Sequence, residues 1–237
     1  MGSAVSGRSA KSGFTRGIEA LKLNLKSESA MVIVHHLNNS RSQRILWLLE
    51  ELGAPYEIRF YQRDGVTNLA PPSLKDVHPL GKSPVIEDGA IKIAESGAII
   101  DYLIRAHGQG RLAPLPGTAE WEAYLEWLHY AEGSAMLPHM LLLYTMRLGA
   151  AAEPLTPRIG GEIDNNLAYI EASLADHDYI MAQGFTGADV QLSFVGEVAR
   201  AFGRLAAYPK ITAWVDRLHA RPAFQASITK GGTYSLA

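Results

Sequence analysis

The residues best suited to chemistry lie at Asn38-Asn39-Ser40-Arg41-Ser42-Gln43-Arg44, where an apolar run gives way to a helical pattern. Free backbone N–H groups at a helix start, together with hydroxyl and amide side chains, can hold an anion. If that anion is a thiolate, one charge-assisted hydrogen bond is enough to favour the ionised sulfur. A thiol near pKa ~8.5 is mostly protonated at neutral pH, and each unit of lowering corresponds to about 1.4 kcal/mol. The chain contains no cysteine, so the sulfur must come from a ligand, and disulfides and thiolate metal sites are excluded. A structural reading competes locally, because Ser40-Arg41-Ser42-Gln43 also has the Ser-x-x-Gln form of a capping box.

A second group is Gly81-Lys82-Ser83-Pro84-Val85-Ile86, followed a short hairpin later by Glu95-Ser96. A proline opening a strand directly after a loop suggests a cis Ser83-Pro84 bond, which would present the Ser83 backbone to an extended peptide. Ser96 begins a helix, so its hydroxyl and N–H could hold a carboxylate while Glu95 takes an ammonium. Lys82 could pair with a second carboxylate. These demands together describe a small peptide with two carboxylates, an amine and a thiol.

The elements that must position these residues follow from periodicity. Met31 to Leu37 reads as a strand, Ser40 to Leu52 as a helix stopped by Gly53, and Tyr56 to Tyr61 as a second strand. Pro84 to Glu87 and Ala90 to Ile93 flank Asp88-Gly89 as a hairpin, and Glu95 to Arg105 is the next helix. The expected fold is therefore an α/β N-terminal domain of βαβ-ββα order, which is thioredoxin-like, followed by an all-α C-terminal helical bundle. Helices are expected over Ala119 to Leu148, Arg158 to Leu174, Ala188 to Leu205 and Ile211 to Ala220, the last closed by Arg221-Pro222. The strongest helix start is Thr186-Gly187-Ala188-Asp189, a capping box with Phe185 and Val190 as a staple, and it reads as a folding feature. The domains expected are an extension at 1–30, a thioredoxin-like peptide-binding domain at 31–106, a linker at 107–117 and a helical domain at 118–237.

Among the 237 residues, 22 Lys and Arg stand against 24 Asp and Glu, and the net charge of -2 offers no broad attraction to nucleic acid. The 47% apolar and 19% charged content suits a folded globule, and no apolar run reaches membrane-spanning length. His35-His36 and the pair His129 and His139 lack acidic or thiolate partners at ligand spacing, so no metal is expected. Trp121, Trp127 and Trp214 read as core. Residues 1–30 carry Phe14, Ile18, Leu21 and Leu25 on one helical stripe beside Arg16, Lys22 and Lys26, a pattern compatible with organelle targeting as well as with a plain appendage. The opening Met1 to Ser6 also fits a loose myristoylation pattern.

Taken in order and spacing, Ser40 to Leu52, Gly81-Lys82-Ser83-Pro84-Val85, Glu95-Ser96 and Thr186-Gly187-Ala188-Asp189 resemble the glutathione transferase family, and the resemblance spans nearly everything from Met31 onward. The subgroup most similar is the bacterial and fungal one with Ser-Arg-Ser after the first strand and a His-Tyr-Ala-Glu-Gly segment, here His129 to Gly133. The resemblance implies glutathione as co-substrate, bound by Ser83, a cis Pro84, Glu95 and Ser96, and more loosely by Lys82. It implies Ser40 as the donor to the thiolate, with Asn39 as the alternative, because five places before Arg44 stands Asn39. It places a small apolar electrophile in a pocket between the domains, with Tyr130, Met136 and Met140 as candidate walls and simple core packing as their other reading. A cytoplasmic homodimer without metal is the expectation. Conjugation is the leading activity, glutathione-dependent peroxide or disulfide reduction the second, and a non-catalytic binding or assembly module the third.

Overall fold

The computed structural model describes residues 31–236. The expectations for the segment 1–30, both the helical stripe and the myristoylation pattern, lie outside the described residues.

Strands β1 (Val32–Leu37), β2 (Tyr56–Tyr61), β3 (Val85–Asp88) and β4 (Ile91–Ala94) form one sheet in the order β2-β1-β3-β4. β1 runs parallel to β2, with Val32 opposite Tyr56 and Leu37 opposite Tyr61, and antiparallel to β3, with Val34 opposite Ile86. A parallel pair needs a crossover, which helix α1 (Ser42–Leu52) supplies. A central strand is covered on both faces and needs apolar residues throughout. Val32 and Val34 are fully buried, and even His35 and His36 are nearly so. Helix α1 ends at Gly53, whose φ of 65° is the left-handed C-cap geometry, with its N–H donated to Glu50 O at 3.2 Å. The short helix α2 (Leu74–Val77) occupies what the sequence shows as loop, and α3 (Ser96–His107) closes the expected βαβ-ββα order.

Beyond residue 118 the described chain is helical, as expected, but in three places it departs from the periodicity by more than two residues. The stretch expected as one helix over Ala119 to Leu148 is α4 (Ala119–Tyr130), a wide π-type turn at Ala131–Ala135, α5 (Met136–Thr145) and two tight 3-10 turns within Met146–Ala152 that meet at a kink at Gly149. Pro138 accounts for the wide turn, since it has no N–H for the carbonyl one turn earlier, and Gly149, with its φ of 56°, for the later kink. After α6 (Thr156–Leu174), α7 (Gly187–Ala201) stops four residues before Leu205. Helix α8 (Pro209–His219) is followed by α9 (Pro222–Gly231), so Arg221-Pro222 opens a helix where the sequence reading placed an end. Proline at a first helical position surrenders no intrahelical bond.

A continuous apolar core links the sheet side to the helical side. Trp47 of α1 packs against Phe185, with ring centroids 5.5 Å apart, and edge-on against Phe224 of α9 at 5.3 Å. The Thr186 capping box forms as expected. Gly187 within it sits where a Cβ would come within 2.6 Å of Ile104 and 2.7 Å of the Tyr124 hydroxyl, so α7 can approach α3 and α4 only without a side chain there. No helix of the described residues is long and apolar enough to cross a membrane.

Candidate functional site

A cavity of about 430 Å³ opens where the β1–α1 turn faces α5 and α7. Its wall on the sheet side includes Asn39, Ser40, Arg41, Lys82 and Ser83; its helical wall includes Met136, His139, Met140, Leu143 and Phe194. Residues far apart in sequence therefore share one space, richer in polar groups on the sheet side and in apolar ones on the helical side, where Tyr144 and Arg147 also reach it.

The turn is held from several directions. Asn39 adopts a φ of 50°, a conformation that asparagine tolerates better than most residues. Arg63 fastens it, donating from Nε to Asn38 O at 3.1 Å and from Nη2 to Asn39 O at 3.2 Å, while its own N–H meets Asn38 Oδ1 at 2.9 Å. The Asn39 carboxamide oxygen accepts the Ser235 N–H at 2.8 Å, which fixes the orientation of the amide. Its nitrogen makes no hydrogen bond among the described residues.

Ser40 is buried, and its hydroxyl turns inward. It lies 2.8 Å from Leu37 O, to which it donates, and 2.8 Å from Ser42 Oγ, and it accepts the Ser42 N–H at 3.2 Å. The expected capping box does not form here, because Gln43 sends its side chain to Ser227 Oγ at 3.0 Å and not back to the helix start. Behind Ser42 stands His36, with Nδ1 2.9 Å from Ser42 Oγ and Nε2 donating to Gly231 O at 3.1 Å. Burial pushes His36 down to about 4 against the opposing bond to Gly231, so the ring is neutral and accepts the Ser42 hydroxyl proton.

Arg41 and Arg44 converge on Glu132 of the π-type turn. Arg41 Nε reaches both carboxylate oxygens at 2.8 and 2.9 Å, and Arg44 Nη2 reaches one at 2.9 Å. Burial pushes the Glu132 carboxyl up, but the charge of Arg44 and the bonds from both arginines outweigh it and leave it below the ordinary range. Because the folded pKa is depressed, the stability Glu132 contributes is present above the unfolded value of about 4.3 and is lost as pH falls below it. Glu132→Gln is expected to cost about 2 kcal/mol at pH 7, since a buried guanidinium loses its counter-charge. Urea midpoints should show the gap between wild type and variant closing at pH 3.

Ser83 and Pro84 are joined by a cis bond, as expected. The Ser83 hydroxyl is spent on the fold, donating to His35 O at 2.7 Å and accepting the Leu37 N–H at 3.2 Å. Its backbone N–H and carbonyl enter no backbone hydrogen bond among the described residues. Glu95 is exposed, with a φ of 66° that few non-glycine residues adopt, at the N-cap of α3. Ser96 follows it, buried, in the first turn, where backbone N–H groups lack intrahelical partners. Both lie on the sheet side outside the cavity wall.

Tyr130 is not part of this wall and does not fit the pocket role expected for it. Its hydroxyl donates to Asn166 Oδ1 at 2.7 Å and its ring packs against Trp127 and Tyr169, joining α4 to α6. Met136 and Met140 do line the cavity. Arg63, Phe194 and Leu236 were not anticipated, and no local pattern marks them, because each reaches the site from a distant stretch. The described residues contain no cluster of three acidic, histidine or cysteine side chains placed for a metal.

The chain matches the family model for the glutathione S-transferase N-terminal domain over residues 29–105 and that for the C-terminal domain over residues 135–222. It is 34% identical to glutathione S-transferase 3 of Schizosaccharomyces pombe, covering 84% of this chain and 88% of that protein. It is 30% identical to glutathione S-transferase 1 of Saccharomyces cerevisiae, over 84% of this chain and 95% of the relative. The crystal structure of a glutathione S-transferase from Actinobacillus pleuropneumoniae superposes with a TM-score of 0.81 at 32% identity, covering 87% of this chain and 95% of that one. The two family models together, the two fungal relatives and the shared fold agree with the geometry at the β1–α1 turn: this chain belongs to the glutathione S-transferase family.

Proposed function

We propose that the chain binds reduced glutathione, keeps its sulfur ionised and joins it to apolar electrophiles held against α5 and α7. The observation that carries this reading is the two-sided cavity, in which Asn39, Ser40, Lys82 and Ser83 face Met136, Met140 and Phe194. The two halves divide the work, residues 31–106 taking the peptide and residues 118–237 the second substrate. Ser96 with its N–H takes the γ-glutamyl carboxylate at the positive end of α3, and Glu95 takes the ammonium. The Ser83 backbone beside Pro84 pairs with the cysteinyl residue, and Lys82 meets the glycyl carboxylate.

Asn39 is the thiolate donor in this reading. Its oxygen is occupied by Ser235, so its amide N–H groups are the ones left for the sulfur. Ser40, with its proton directed at Leu37 O, supports the turn and is the second donor. The sulfur then attacks an adjacent electrophilic carbon; proximity and thiolate stabilisation supply the acceleration.

Titration calorimetry should register glutathione binding at millimolar concentrations, and chlorodinitrobenzene should be conjugated faster than cumene hydroperoxide is reduced. No heat of binding from the folded protein would end the reading, and faster peroxide turnover would move the activity to reduction. We also place the protein in a homodimer, supported by the exposed apolar side chains Phe60, Val66 and Leu69 on edge strand β2 and the loop after it. Light scattering should give twice the chain mass; a stable monomer would contradict it.

A further inference from the structure

Three consecutive residues after α9 go to three different places. Tyr234 turns its hydroxyl to Glu197 of α7, the Ser235 N–H goes to Asn39 Oδ1 at 2.8 Å, and Leu236 joins the wall of the cavity. Of residues 232–236 only Tyr234 is buried. Beyond Gly232, the Tyr234 and Ser235 bonds are the hydrogen bonds that hold this stretch among the described residues.

Glu197 accounts for the inward turn of Tyr234. It is 2% exposed, between Gly196 and Val198 in a buried part of α7, and a carboxylate is rarely so placed without donors. It has two. Tyr234 donates to Oε2, and Nε2 of His219, at the end of α8, lies 3.1 Å from Oε1. His219 is itself stacked on Phe224 of α9, with ring centroids 4.3 Å apart. Burial, with the Glu197 charge acting the same way, pushes the Tyr234 hydroxyl well up, so it keeps its proton and donates. One residue of the stretch is therefore anchored among the helices, and the next one along reaches the β1–α1 turn.

What the Ser235 bond decides is the direction of an amide. The two ends of the asparagine carboxamide have nearly the same outline, so a half-turn of the side chain exchanges a donor for an acceptor. With the Ser235 N–H on Oδ1, the nitrogen is the end left for a ligand. Without it, the oxygen is free to face a sulfur anion and repel it.

We infer that Tyr234 and Glu197 are positioning residues of the thiolate site: their hydrogen bond pins the stretch after α9, and the Ser235 N–H then holds the Asn39 carboxamide with its NH2 end toward the sulfur. This rests on the glutathione reading above, with Asn39 as the donor. Neither Tyr234 nor Glu197 belongs to the cavity wall, so both act through Asn39 and not on the substrates.

Two full-length variants break the link at different points. Tyr234→Phe removes the hydroxyl and keeps the ring; Ser235→Pro removes the N–H at an exposed position and leaves the Tyr234 anchor. The thiol pKa of bound glutathione, read from thiolate absorbance against pH, should rise in each by about half to one unit, and kcat/KM for chlorodinitrobenzene below that pKa should fall about three- to tenfold with it. In an Asn39→Ala background neither change should move the pKa further, because the group they orient is gone. Circular dichroism on each sample reports folding. A pKa that stays at the wild-type value in both variants, or moves in one folded variant and not in the other, overturns the inference. So does a shift of equal size in the Asn39→Ala background, as a general loosening of the fold would give. If Asn39→Ala alone leaves the thiol pKa in place, Asn39 is not the donor and the inference falls with that role. A folded wild type that binds no glutathione ends the glutathione reading as a whole.

Discussion

Asn39→Ala is expected to lower kcat/KM for chlorodinitrobenzene by about a hundredfold and to raise the pKa of bound glutathione by one to two units. A charge-assisted hydrogen bond to sulfur contributes about 1.5–3 kcal/mol, and its loss falls on the thiolate and not on the thiol. The thiolate absorbance of the enzyme–glutathione complex, followed against pH, measures the shift directly. Ser40→Ala should act more mildly, by about tenfold, since the Ser40 hydroxyl is directed to Leu37 O and its removal loosens the turn more than it removes a donor. A thiol pKa that moves with Ser40 and stays put with Asn39 would reverse the two roles.

The largest effect on stability is expected at Asp189, which is buried completely. Its Oδ1 accepts the Ile180 N–H at 2.9 Å and the Trp214 indole N–H at 3.0 Å, and its Oδ2 accepts the Thr186 N–H at 2.9 Å. Burial raises the carboxyl to about 6 against the pull of these donors, which leaves it mostly ionised at neutral pH. Asp189→Ala strands three buried donors and the helix cap together, so a loss of about 3–5 kcal/mol is expected. Asn, with the same outline, should recover only part, because its amide nitrogen cannot accept. Urea midpoints of both variants check the figure, and an alanine variant within about 1 kcal/mol of wild type would show that water replaces the carboxylate.

The capping box illustrates what was legible beforehand. Thr186 and Asp189 act through neighbours three residues away, so their spacing carried the information, as did Gly53 and the alternation through Tyr56 to Tyr61. Ser40-Arg41-Ser42-Gln43 has equivalent spacing and no box, because Ser227 of α9 claims Gln43. A tertiary partner decided the outcome, and α9 itself was hidden by a proline read as a stop. The site divides similarly. Asn39, Ser40, Lys82 and Ser83 stand in short motifs, and Met136 and Met140 sit on a recognisable helix. Tyr130 has the same local appearance as those methionines, yet it faces α6, where Asn166 accepts its hydroxyl. Arg63, Phe194 and Leu236 have no local signature because their meaning lies only in where the chain brings them.

The β1–α1 turn is clasped by three bonds from the far end of the described chain: Ser227 to Gln43, Gly231 O to His36 and Ser235 N–H to Asn39. During synthesis the sheet can assemble as soon as β4 leaves the ribosome, but its reactive corner must wait for residues 227–235. On the proposed function, a nascent molecule therefore gains thiol activation only once residues 227–235 have been made.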